Sequence, residues 1–299
     1  MQKLPILKPG DSVEIIAPAS RCSDKQLTAL KELLASWQLN CMVDENIFGN
    51  DLLCANTDAI RFKFLKDALQ RAETKAIICA RGGYGSMRLI PELIKIAPPA
   101  SPKLFVGMSD ITALNLYLER QWRWPTLHAA PALDKFSAES VAAVKSILFG
   151  EVKQLVLQGL PLNKAAEKDR TIEATITGGN LCLVQTSIGT VWQIDGRNKI
   201  IFLEDVAERG YRIDRMLEHL RQVNVFKQAT AILFGDFTEG NEPNGSSLVK
   251  PVLERFAQSC EIPVVQIEGV GHGPTNFPLP LGTKAKLQLG SQIKLVLFR

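Results

Sequence analysis

Apolar and polar positions follow two rhythms over the first 150 residues. Short, nearly unbroken apolar runs alternate with stretches that are apolar every three or four positions. Val13 to Ala17 reads as a buried strand, entered from the turn Lys8-Pro9-Gly10-Asp11 and ended by Pro18. A helix begins at Ser23, with Leu27, Leu30, Leu33, Leu34 and Trp37 on one face. Ser23 and Gln26 have the spacing of a capping box, which ties up two free N–H groups at a helix start. Cys41 to Val43 is a second short strand, and Thr57 caps a helix whose face is Ile60, Phe64, Leu65 and Ala68. Lys75 to Ala80 and Leu104 to Val106 are apolar at nearly every position, as in strands buried on both faces. Strands alternating with helices predict a parallel sheet with right-handed crossovers.

After His128 the rhythm weakens. Val141 to Leu148 is helical, and the segment from Gly150 to Lys168 is mixed and polar. It divides the chain into a first domain over 1–150, a linker over 151–168 and a second domain over 169–299. In the second domain Thr171 to Ile176 alternates like a strand. Gly178-Gly179-Asn180 opens a helical run from Leu181 to Ile188. Lys199 to Leu203 is an apolar strand ending in Glu204-Asp205, and Ile213 to Leu220 is a helix. Ala229 to Phe234 and Val264 to Ile267 are strands on either side of a helix over Leu248 to Phe256. Lys286 to Phe298 forms two alternating runs around Gly290-Ser291, a hairpin signal.

Composition removes several classes of function. The 299 residues are 46% hydrophobic and 22% charged, enough for an ordinary soluble core. The net charge of +4 is scattered, with no basic stripe to hold nucleic acid. No apolar stretch reaches the roughly 18 residues of a membrane span. The first twenty residues lack the apolar core of a signal peptide, and none of the six cysteines forms a CxxC pair. Both features point to a reducing, cytoplasmic setting. No GxGxxG follows the first strand, there is no GxxxxGK[ST] or HExxH, and the three histidines are far apart. Neither a cofactor nor a metal is expected.

Ligands bind parallel sheets outside the carboxyl ends of the strands. Two segments fall there: Arg81-Gly82-Gly83-Tyr84-Gly85-Ser86 and Gly107-Met108-Ser109-Asp110. Ser109, between strand and helix, is either a helix cap or a nucleophile lifted on a sharp turn. The stretch alone leaves both open. Asp110 N–H sits near a helix start, where backbone donors hold anions. With Gly83 N–H opposite, it makes half of an oxyanion hole, unless the glycines are only a turn. A serine nucleophile needs a base. His219 lies in the amphipathic helix RIDRMLEHLRQ and has a structural role there; His128 either lines a cleft or packs. His272, in the loop GVGHGP, is the better placed base. Glu204 or Asp205, at the end of a buried strand, has either a structural partner or the task of orienting that base. Arg81 either attracts a carboxylate or sits in an ion pair.

The chain resembles the LD-carboxypeptidase family of serine peptidases, which includes murein tetrapeptide carboxypeptidases and microcin-immunity peptidases. The likeness runs through KPGDSVEIIAPAS, ARGGYGSMRLI, VGMSDITAL, TGGNLCLVQTSIGT, IFLEDVAERGYRIDRML and GHGPTNFPLPLG, in that order. It implies a Rossmann-like N-terminal domain and a smaller, β-rich α/β C-terminal domain. It implies Ser109 as nucleophile, Glu204 and His272 as its partners, and Gly83 and Asp110 as oxyanion donors. Arg81, Tyr84 and Asn180 are then candidate substrate contacts. The implied substrate is a muropeptide, with the terminal D-Ala cut from an L-configured centre during wall recycling. The implied protein is a cytoplasmic homodimer without metal or cofactor. A peptidase acting on a peptidyl-nucleotide, or a non-catalytic binding member, are the other readings. The GMSDI sequence around the serine is not GxSxG, which argues against an α/β-hydrolase.

Overall fold

A computed structural model describes residues 3–132 and 134–298. Strands β1 (Ser12–Ile16), β2 (Asn40–Met42), β3 (Thr74–Cys79), β4 (Leu104–Val106) and β5 (Thr126–His128) lie parallel in one sheet. Helices α1 (Asp24–Ser36), α2 (Asp58–Gln70), α3 (Ile90–Leu93), α4 (Thr112–Tyr117) and α5 (Ala138–Leu148) connect and cover it. The caps form as the sequence predicts. Ser23 and Gln26 close a full capping box, and the Thr57 side chain accepts from Ile60 N–H. β3 shows why the strands read as continuous apolar runs. Ala76 and Ile78 belong to one apolar cluster with Leu30, Leu34 and Val144 from α1 and α5, while Ile77 belongs to another with Leu65 and Leu69 of α2. Both faces are buried, so neither needs polar residues.

The second region is a closed barrel of β6 (Gln154–Pro161), β7 (Arg170–Asn180), β8 (Lys199–Val206), β9 (Ala231–Thr238) and β10 (Val264–Ile267), completed by the last two strands of the chain. Before those last two strands, β11 (Leu279–Leu281) returns to the first sheet and pairs antiparallel with β5. β12 (Lys284–Leu289) and β13 (Ile293–Phe298) then form the predicted hairpin. β7 to β10 run parallel, with α6 (Leu181–Thr186), α7 (Gly210–Gln222) and α8 (Val249–Gln258) following β7, β8 and β9. Leu157, Phe202, Leu233, Val265, Leu287 and Leu295 fill the interior.

Three strands were hidden in the sequence, and the short β5, which carries His128, is one of them. Residues 154–161, inside the segment read as a linker, form β6, which joins β10 to β13. Its apolar Val156 and Leu160 are exposed, so they mark no buried face. β11 carries two prolines' worth of disguise in PLPL; Pro280 has no N–H, which suits a strand at the sheet edge. One apolar cluster spans both regions, from Ile111, Leu114 and Tyr117 to Leu181, Leu203 and Phe234. That shared core sets the position of one region against the other.

Candidate active site

β4 ends at Val106, and after Gly107 the chain turns sharply through Met108 and Ser109 into a single 3-10 turn before α4. Ser109 has φ +62°, a left-handed backbone that non-glycine residues rarely adopt. The strain is held by its surroundings, as is usual where a side chain must be aimed. Ser109 makes no capping bond, and Met108 occupies the cap position, so the helix-cap reading falls away. The glycine loop lies directly over it. A Cβ on Gly82 would come within 2.8 Å of Ser109 Cβ, so any side chain there pushes on the nucleophile turn. Ser86 fastens the loop to the turn, its N–H donating to Asp110 Oδ2 (2.8 Å) and its hydroxyl to the Asp110 carbonyl (2.6 Å). Buried Arg61 braces the loop from behind, donating to the carbonyls of Asn56, Pro18 and Gly85. Among the described residues, neither Gly83 N–H nor Asp110 N–H donates a hydrogen bond.

The barrel supplies the other half. Glu204 and Asp205 stand at the end of β8, where the pairing with β9 shifts register between Leu203 and Asp205. Such irregularities re-aim side chains at barrel rims. Both carboxyls are buried, and they point to different partners. Asp205 Oδ1 accepts from Asn180 Nδ2 and from Val206 N–H, both at 2.8 Å, and Oδ2 accepts from Cys182 N–H at 2.9 Å. Burial, and then the charge of Glu204, push the Asp205 carboxyl up to about 7. Glu204 Oε2 accepts from His272 Nδ1–H at 2.6 Å. His272 Nε2 is thereby left for a proton from outside the pair. The loop carrying His272 is tied to the first domain by Asn276, which accepts from Gly271 N–H and donates to Met108 Sδ (3.0 Å).

Ser109 and His272 line one cavity of about 760 Å3, together with Arg81, Gly82, Gly83 and Met108. No Ser109–His272 hydrogen bond is formed among the described residues; such bonds are often long until substrate arrives. The other predicted contacts fare unequally. Arg81 lines the cavity, with Nη1 held by the Arg21 carbonyl at 3.1 Å. Tyr84 is exposed outside the lining, its N–H donating to Ser20 Oγ. Asn180 is buried away from the cavity. Its Oδ1 caps α6 and its Nδ2 holds Asp205, so the side chain ties the start of α6 to the end of β8. His128, left undecided by the sequence, is fully buried beside Glu204, with Nε2 3.8 Å from Oε1. Only the packing of β5 against the barrel brings them together, and no local sequence signal foretells it. His219 bonds Gln185 on the helical face, in the structural role expected of it.

Residues 13–129 match the family profile of the LD-carboxypeptidase N-terminal domain, and residues 173–287 that of the C-terminal domain. A Rickettsia conorii protein bearing a carboxypeptidase name is 39% identical over 293 residues, covering 96% of this chain and 90% of that one. The murein tetrapeptide carboxypeptidase of Pseudomonas aeruginosa is 28% identical, with 92% of each chain covered. The crystal structure of muramoyltetrapeptide carboxypeptidase from Oxalobacter formigenes superposes with a TM-score of 0.80 at 26% identity, covering 96% of this chain and 99% of that one. On these matches, which take in both regions that build the site, the chain belongs to the LD-carboxypeptidase family.

Proposed function

We propose that the protein is a serine-type LD-carboxypeptidase that removes the terminal D-Ala from muropeptide tetrapeptides. The observation that carries this reading is the strained Ser109 lining one cavity with His272, whose Nδ1–H is held by buried Glu204. The family membership and the murein substrates named for its relatives point the same way. In this mechanism His272 Nε2 takes the Ser109 proton as Oγ attacks the carbonyl of the bond to D-Ala. Glu204 fixes the tautomer and balances the imidazolium that forms. Gly83 N–H and Asp110 N–H, both without an acceptor among the described residues, receive the developing oxyanion. His272 then gives its proton to the departing D-Ala nitrogen, leaving Ser109 acylated by the rest of the peptide. Water, activated by the same His272, hydrolyses the ester. Arg81, on the cavity wall, attracts the terminal carboxylate. A cytoplasmic homodimer serving wall recycling completes the reading.

The test is release of D-Ala from L-lysine and meso-diaminopimelate tetrapeptides, followed by mass spectrometry, with Ser109→Ala in parallel. Release from the native protein that falls at least about 1,000-fold in the variant is the expected result. Release that survives the substitution overturns the serine mechanism. A folded native protein inactive on both peptides overturns the muropeptide reading, and cleavage of a peptidyl-nucleotide would then replace it.

A further inference from the structure

Behind the triad lies a polar contact that the mechanism above does not use. Glu204 is fully buried, and among the described residues its Oε1 has no hydrogen-bond partner. His128 is fully buried too, and both of its ring nitrogens are unpartnered among the described residues. Orphaned polar atoms are rare in protein interiors, and here they face each other, Nε2 to Oε1 at 3.8 Å. The imidazole is firmly placed. Its backbone is paired with Leu279 across β5 and β11, and its ring stands edge-on to Phe202 at 5.6 Å.

We propose that His128 is a positioning residue for the triad, donating Nε2–H to Glu204 Oε1 while Glu204 Oε2 holds His272. This rests on the serine-peptidase reading of Ser109, Glu204 and His272. The gap of 3.8 Å exceeds a hydrogen bond, so the proposal requires a small turn of the carboxylate about its last torsion that brings Oε1 onto Nε2–H while Oε2 keeps His272. Only a neutral imidazole suits the task. A protonated His128 would neutralise Glu204 and strip His272 of its counter-charge. Burial holds the His128 pKa down to about 4, against the pull of Glu204, and the nearby His272 lowers it further. Glu204 also feels Asp205 and Asp236, whose carboxyls are both raised, first of all by burial. The site therefore gathers more acids than bases, and a neutral donor stabilises the Glu204 anion without removing its charge.

The consequence is a shift in proton affinity. With His272 neutral, the Glu204–His272 pair carries net charge −1; with His272 protonated it carries none. A donor on Glu204 favours the negative state, so its loss raises the apparent pKa of the pair. The experiment measures the rate of Ser109 labelling by a fluorophosphonate against pH, in the native protein, His128→Phe and His128→Gln. Circular dichroism and thermal melting establish that each variant is folded. The expected result is an acid limb moved up by about one pH unit in H128F. H128Q, which keeps an N–H donor, should return the limb toward the native position. An unmoved limb in H128F, or an H128Q limb that matches a shifted H128F one, overturns the proposal. Should H128F not fold, the 15N shifts of the native His128 ring decide. A proton on Nε2 with bare Nδ1 supports it, while the opposite tautomer or an imidazolium at pH 7 overturns it. Failure of the native protein to label at Ser109 strikes instead at the serine reading on which the proposal rests.

Discussion

Two glycine-rich segments end strands in this molecule, and they do opposite things. Residues 81–86 lie open over the nucleophile turn: Arg81 and Gly83 are exposed, and Gly82, Gly83 and Arg81 line the cavity. Residues 178–180 are buried where the two regions meet. Gly178 and Gly179 have φ of +128° and +136°. A Cβ on Gly178 would fall 1.9 Å from the Phe202 carbonyl oxygen, and one on Gly179 2.5 Å from Thr112 Oγ1. Asn180 N–H donates to that same Thr112 hydroxyl at 3.0 Å, three residues past Ser109. In sequence both segments read as glycine turns beside a functional polar residue. In space one shapes a site, and the other is the joint that brings the two halves of the site into register.

Adding one methyl group to each should separate the roles most sharply. Gly178→Ala collides with backbone and demands a left-handed alanine, so it should cost about 3 kcal/mol or more of stability. Gly82→Ala has ordinary φ but pushes on Ser109, so the fold should hold within about 1 kcal/mol while turnover falls about 100-fold. Denaturant melts and peptide hydrolysis on the same samples report both. A G82A protein that loses stability as G178A does would erase the distinction.

The side chains beside the glycines extend the contrast at smaller amplitude. Asn180→Ala removes the cap of α6 and one donor to buried Asp205. It should destabilise by about 2 kcal/mol with KM unchanged. Arg81→Ala should leave stability within about 0.5 kcal/mol and raise KM about tenfold, through loss of the attraction to the terminal carboxylate. A raised KM in N180A with native stability would return Asn180 to the substrate. An unchanged KM in R81A would remove Arg81 from it.

Much of this arrangement is legible along the chain. Runs such as KAIICA and KLFV show their strands because burial on both faces leaves no polar position to confuse the pattern. Ser109, Glu204 and His272 emerge because each sits at a strand end or glycine turn within a recognisable segment. β6 and the closing of the barrel are not legible, since β6 turns Val156 and Leu160 outward and its partners β10 and β13 are far away in sequence. The chain shows Asn180 as a polar residue after glycines but not the carboxyl it meets on β8. The facing of His128 and Glu204 needs the relative placement of two domains, which no window of residues contains.

The joint differs from the cleft loop in one further respect, its response to pH. Asp205 anchors Asn180 and the start of α6, and its carboxyl is raised from 3.8 to about 7 by burial and by Glu204. The folded state therefore keeps a proton on Asp205 over a range in which the unfolded chain has released it. Stability falls wherever the folded state binds more protons, so this group lowers stability as pH rises from about 4 to about 7 and adds no slope above that. The loss is at most about 1.4 kcal/mol per pH unit. Asp205→Asn cannot titrate, so its stability should lack this part of the slope, whatever constant offset the amide imposes on its three N–H partners. Gly82→Ala, at the cleft, should keep the native slope. Denaturant melts at pH 4.5, 5.5, 6.5 and 8 provide the comparison. Parallel curves for the native protein and D205N would mean that Asp205 is ionised throughout, its three N–H donors outweighing burial and the neighbouring Glu204. The joint would then be no more sensitive to pH than the loop over Ser109.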